Sequence, residues 1–94
     1  MARPSAVSSA RIKLRNRHLL EWQTLSTLQL TILTSFRQAC NQQLSLCSED
    51  KVGHFYLKKQ QLTRIADMMV SHRHHRAQLK MRHQRELLLL EQSI

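Results

Sequence analysis

Apolar residues recur along the first half of the chain at helical spacing, as Ile12, Leu19, Trp22, Leu25, Leu28, Ile32, Leu33, Phe36, Ala39, Cys40 and Leu44. Projected at 100° per residue they fill an arc of about 200°, wider than the stripe a two-stranded seam needs. The second half carries Phe55, Leu62, Ile65, Ala66, Met69 and Val70 on one face, mostly three and four apart. That face then turns polar through His72, Arg76, Leu79 and His83, and apolar residues return at Leu87, Leu90 and Ile94. Both patterns predict long helices.

The breakers agree. Glycine and proline occur once each, as Gly53 and Pro4, so the interior of the chain holds one reversal. The expected fold is all-α: a long antiparallel hairpin of two helices, completed as a bundle or coiled coil with a partner or a second copy. Residues 1–7 read as a flexible N-terminal arm, because Pro4 disfavours helix at the residue before it, and Ser8 or Ser9 supplies a cap. The hairpin then occupies 8–94, with helices over about 8–46 and 54–94 and a turn over about 47–53. For the second helix a start at Ser48, with Glu49 and Asp50 in the first turn, is preferred. The other reading makes Gly53 a left-handed cap on the first helix. No internal repeat stands out.

If the chain reverses near residue 49, positions whose numbers total about 98 lie side by side. Phe36 then faces Leu62, Ile32 faces Ala66, and Leu28 and Leu25 face Val70 and Arg73. The opposite end gathers Arg11, Lys13, Arg15, Arg17 and His18 beside Lys80, Arg82, His83 and Arg85, with Glu21, Glu86 and Glu91 the only local acids. Like charges across a helix pair are destabilising. Fifteen Lys/Arg against six Asp/Glu, net +9, make an acidic partner the natural relief. The anion- or acidic-partner-binding candidates are Arg11, Lys13, Arg15, Arg17, Arg73, Arg76, Lys80, Arg82 and Arg85. Three readings compete: docking of an acidic protein, direct contact with nucleic-acid phosphate, and a solvated end that frays. Neither basic stretch contains Phe, Tyr or Trp for base stacking, so any nucleic-acid binding would be backbone-directed and salt-sensitive.

Catalytic, cofactor and metal chemistry find no support in the residues. The six acids are scattered, with no pair placed to converge. His72, His74 and His75 stand among arginines that repel a cation, with no carboxylate or cysteine to complete a ligand set. Imidazoles so placed should resist protonation and give a mild pH response. Cys40 and Cys47, seven apart on one helix, sit roughly 10 Å apart and read as reduced thiols of an intracellular protein. The expectation is a non-enzyme with no small-molecule substrate and no cofactor.

Two segments point instead to a protein partner. Trp22–Phe36 contains no charge, its polar positions being Thr, Ser and Gln, whereas a solvated helix face usually carries Glu and Lys. Leu87–Leu90 clothes every side of a helix in leucine, more than one neighbour can bury. The partner-binding candidates are Trp22, Leu25, Leu28, Ile32, Phe36, Leu87, Leu89 and Leu90. Lys80–Leu90 also reads as a basic amphipathic segment of the type that calmodulin-like grooves or anionic membranes accept. No segment is apolar enough to span a bilayer.

The functional expectation is an interaction or scaffold subunit of a larger complex, whose basic end docks an acidic protein surface or nucleic acid. A nucleic-acid-binding protein in its own right is the alternative. The first twenty residues, with five Arg/Lys and no acid, also suit a mitochondrial presequence. Because basic character continues into the second helix, where a presequence has no part, nuclear localisation is preferred.

Overall fold

The computed structural model describes residues 3–47 and 49–93. Helix α1 runs Arg3–Leu46 and helix α2 runs Lys51–Gln92. They form an all-α antiparallel hairpin, with no strand among the described residues. The chain divides into two compact units. Unit 1 combines Met1–Ser26 with His74–Ile94, and unit 2 is Thr27–Arg73.

α1 ends at Leu46, as the apolar pattern predicts, but begins at Arg3, ahead of Ser8. Pro4 therefore lies in the first helical turn, where an amide has no acceptor within the helix and its absence costs nothing. Of the arm expected over 1–7, only Met1 and Ala2 lie outside the described residues.

The reversal is short and its cap is Asp50. The α1 end tightens through a bond from the Cys47 amide to the Leu44 carbonyl, 3.2 Å, and the Asp50 amide then reaches the Cys47 carbonyl, also 3.2 Å. The Asp50 carboxylate accepts the Gly53 amide at 3.0 Å, and its carbonyl accepts the His54 amide at 2.8 Å, the first full helical bond of α2. Asp50 thus caps the helix and adds a negative charge at its positive end. The proposed start at Ser48 falls on a residue outside those described, but α2 begins at Lys51. The left-handed Gly53 cap is excluded, since Gly53 has no positive φ. This glycine serves space rather than backbone freedom. A β-carbon there would sit 2.5 Å from one Asp50 carboxylate oxygen, in the way of the cap.

Among the described residues, three of the four buried positions are polar. His18, Gln29 and Cys40 are buried on α1, eleven residues apart, and Gln61 is buried on α2. Their partners on α2 repeat the interval. His18 stacks on His83, Gln29 donates to the His72 carbonyl at 2.9 Å, and Gln61 donates to the Cys40 carbonyl at 3.2 Å. Eleven residues over three turns is 3.67 per turn, close enough to the helical 3.6 to hold Gln29 and Cys40 on one face within unit 2.

Facing residue numbers therefore total 101, not the expected 98 or so. A helical side chain leans toward its own N-terminus and covers the surface about one position back. In an antiparallel pair the two leans act together, which raises the total by about two and accounts for most of the shift. The expected faces change accordingly. Ile65 lies half-buried in the seam as anticipated, but Leu62, Met69 and Val70 are exposed, and Leu57, Gln61, Met68 and His72 take the inward positions. Ile32 and Leu28 are exposed too, so their pairings with Ala66 and Val70 do not form a core.

Candidate interaction surface and its charge cluster

Unit 1 is joined by a motif that occurs twice. Arg17-His18-Leu19-Leu20-Glu21 on α1 and Arg82-His83-Gln84-Arg85-Glu86 on α2 share the pattern Arg-His-x-x-Glu. Two like motifs on antiparallel helices face one another about a local two-fold axis. Each arginine crosses to the other helix's glutamate: Arg17 donates to Glu86 at 2.6 Å, and Arg82 pairs with Glu21. Each also approaches the glutamate four residues on in its own helix, Arg17–Glu21 at 3.9 Å and Arg82–Glu86 at 3.5 Å. Two cations and two anions thus close a ring.

Within the ring the imidazoles of His18 and His83 stack almost parallel, with centroids 3.8 Å apart and planes inclined by 11°. Both Nε2 atoms are buried and unpartnered. The nearest carboxylate oxygens lie just beyond hydrogen-bond length, 3.6 Å from His18 to Glu86 and 3.8 Å from His83 to Glu21. Burial, then the neighbouring His18 and Arg82, hold the His83 pKa below its ordinary value despite Glu86. For Glu86, burial acts upward. The Arg17 guanidinium, reinforced by His18, more than offsets it and holds the carboxyl below its ordinary range. At neutral pH the His83 ring is therefore neutral, which lets it pack face to face against a second imidazole.

The ring compensates part of the charge gathered in unit 1. Glu21 and Glu86 are each matched to arginines from both helices, and the repulsion left over belongs to other residues. Arg11, Lys13, Arg15, Arg76, Lys80 and Arg85 are exposed with no ion pair among the described residues, and so is Arg73 in unit 2. The Arg-His-x-x-Glu repeat is a signal that the sequence carries although no internal repeat was expected. It escapes a hydropathy scan because such scans score every one of its charged and polar positions as outward-facing.

The apolar candidates fall in two groups. Leu25, Phe36, Leu87 and Leu90 are half-buried in the seam, whereas Trp22, Leu28, Ile32 and Leu89 are exposed, Leu28 at 54% and Leu89 at 58%. Along Trp22–Phe36 the charge-free polar positions remain compatible with helix because threonines bond back to the preceding turn, Thr24 to the Leu20 carbonyl and Thr31 to the Thr27 carbonyl. Beside the charge ring, unit 1 has an open cleft. Ala10, Leu14, Leu89 and Leu90 line it with carbon, and Lys13, Arg17 and Glu86 complete it.

Among the described residues, no three His, Cys, Asp or Glu side chains are placed to hold a metal ion. Cys40 and Cys47 are both free thiols. No helix of the described residues is long and apolar enough to cross a membrane. No known protein family, characterised protein or solved structure matches the chain.

Proposed function

We propose that this protein is a non-enzymatic helical interaction subunit that completes its hydrophobic core with another chain. One observation carries the reading. Among the described residues Cys40 is the only buried hydrophobic side chain, while seventeen large hydrophobic residues are exposed. Burying an exposed leucine contributes about 1.5–3 kcal/mol. A chain that leaves this much apolar surface in water is stabilised strongly by any partner that covers it. The charge-free Trp22–Phe36 stretch and Leu87–Leu90 supply the apolar contacts, and the exposed basic residues favour an acidic partner. A bundle with a second copy uses the first feature but not the second.

A nucleic-acid-binding role is the second reading, favoured by the exposure of Arg11, Lys13, Arg15, Arg73, Arg76, Lys80 and Arg85, to which Arg17 and Arg82 add the parts of their side chains left outside the ion-pair ring. Nuclear localisation suits either role. A mitochondrial factor with a presequence-like first segment is the third reading, decided by the N-terminus of the mature protein.

Affinity purification from the native cell with cross-linking mass spectrometry separates these readings. The interaction subunit gives protein cross-links concentrated on Trp22–Phe36 and 87–90, and the captured complex survives nuclease. A purified chain that stays a monomer at micromolar concentration, unfolds cooperatively and elutes from nucleic acid at moderate salt sinks the reading in favour of the second.

A further inference from the structure

We infer that the cleft of unit 1 is a docking groove for an acidic amphipathic helix of another protein. The inference rests on the interaction-subunit reading and names the chemistry of the partner. The floor is hydrocarbon, from Ala10 and Leu14 on α1 and Leu89 and Leu90 on α2, with Lys13 and Arg17 on one bank. A helix laid between two antiparallel helices presents apolar anchors at i, i+3, i+4 and i+7, which such a floor accepts. Acidic residues flanking that stripe then meet the bank.

Charge selects this occupant over the others. By sequence, unit 1 carries nine Lys/Arg against three acids. Two of those acids, Glu21 and Glu86, are held by Arg17 and Arg82, so the one carboxylate in the cleft is already matched. Lys13 has no ion-pair partner among the described residues. A second copy brings the same excess of positive charge to the groove and is repelled. A phosphate backbone satisfies the bank but makes no use of four aliphatic side chains, and no aromatic residue lines the cleft to stack a base. Only an occupant both acidic and apolar uses both parts of the site.

The test uses the full chain and a labelled synthetic peptide of about 20 residues, long enough to hold a helix, with leucines at i, i+3, i+4 and i+7 and glutamates elsewhere. A peptide of identical composition in scrambled order carries the same charge without the stripe. Fluorescence anisotropy should show the patterned peptide binding at least about tenfold more tightly than the scrambled one, a discrimination of about 1.4 kcal/mol. Lys13→Glu and Leu89→Ser each weaken the patterned peptide by about fivefold or more, while Phe55→Ser, on exposed surface of unit 2, changes it less than about twofold. Circular dichroism verifies that every variant keeps its helicity. Equal binding of the two peptides overturns the groove and leaves the interaction-subunit reading standing on electrostatics alone. Tighter retention on phosphatidylserine vesicles than by the peptide, lost in Leu89→Ser, overturns it in favour of a membrane surface. If neither peptide binds and the chain is a cooperative monomer, the groove and the broader reading fail together.

Discussion

Unit 2 joins its helices with amides; unit 1 joins them with charges. In unit 2 the Gln29 amide reaches the His72 carbonyl, and the Gln61 amide reaches the Cys40 carbonyl and the Gln43 side chain, around half-buried Leu33, Phe36, Ile65 and Met68. None of these bonds contains a group that titrates near neutrality. In unit 1 the corresponding level is an imidazole stack inside a ring of two arginines and two glutamates. Neutral amide bonds contribute about 1 kcal/mol each and tolerate salt and mild acid. Exposed ion pairs contribute less and depend on both. The seam of unit 2 is therefore built to be indifferent to conditions, and that of unit 1 to respond to them.

The comparison can be broken most forcefully from the unit 2 side. Phe36→Ala should destabilise by about 2 kcal/mol, below the 3–5 of a fully buried phenylalanine because the side chain is only half-covered. Hydrogen exchange should localise that loss to 27–73. Equal loss of protection in unit 1 would mean that the two units open as one.

Acid should act on the other unit. The folded-state pKa of His83 lies below its ordinary 6.5, so folding favours the neutral ring. Its contribution is complete above about 6.5 and declines as pH falls from there toward the lower folded value. Glu86, also lowered, adds stability that is lost as pH falls through its folded value, below 4.5. Exchange protection in unit 1 should therefore drop between pH 7 and 5 and again in stronger acid, while 27–73 changes little. His83→Gln should flatten the first step. A uniform response along the chain would remove the distinction.

Glu21→Gln sharpens the same contrast at smaller scale. It leaves Arg82 without its cross-helix partner and should cost about 0.5–1 kcal/mol, the range of exposed ion pairs. The cost should shrink on adding salt to 1 M, whereas that of Phe36→Ala should not. Smallest of all is Gly53→Ala. Replacing a helical glycine gains up to about 1 kcal/mol, but the new β-carbon crowds the Asp50 carboxylate, and a lost cap costs about the same. Thermal denaturation should find a net change within about 0.5 kcal/mol, and Asp50→Ala should make the glycine replacement plainly favourable.

The two helices and the Leu46 end of α1 were legible because long runs without glycine or proline leave a chain little else to form. What stayed hidden depends on how side chains meet. The seam was assigned to Leu62 rather than Gln61 because a hydropathy pattern ranks a glutamine as outward, although its amide can bury itself against a partner's carbonyl. The register was missed by about three residues because counting back from the turn ignores the lean of each side chain toward its own N-terminus. The nine basic positions offered as anion-binding candidates are all exposed, but the neutralising role of Glu21 and Glu86 required the two motifs to be read as a pair. Asp50 was read as a first-turn acid and proved to be the cap itself, a distinction of two positions that propensity alone does not resolve.

The two-fold arrangement of Arg-His-x-x-Glu has a consequence for identity. A motif that pairs with its own copy in reverse direction is self-complementary, the property that isologous interfaces between subunits require. The contacts that bind α1 to α2 therefore do not distinguish the chain's own second helix from that of a neighbour. What favours the internal partner is the brief connection at Cys47–Asp50, which sets a local concentration on the order of millimolar. Exchange of helices between molecules then becomes a matter of protein concentration and turn length, with every contact in the ring unchanged.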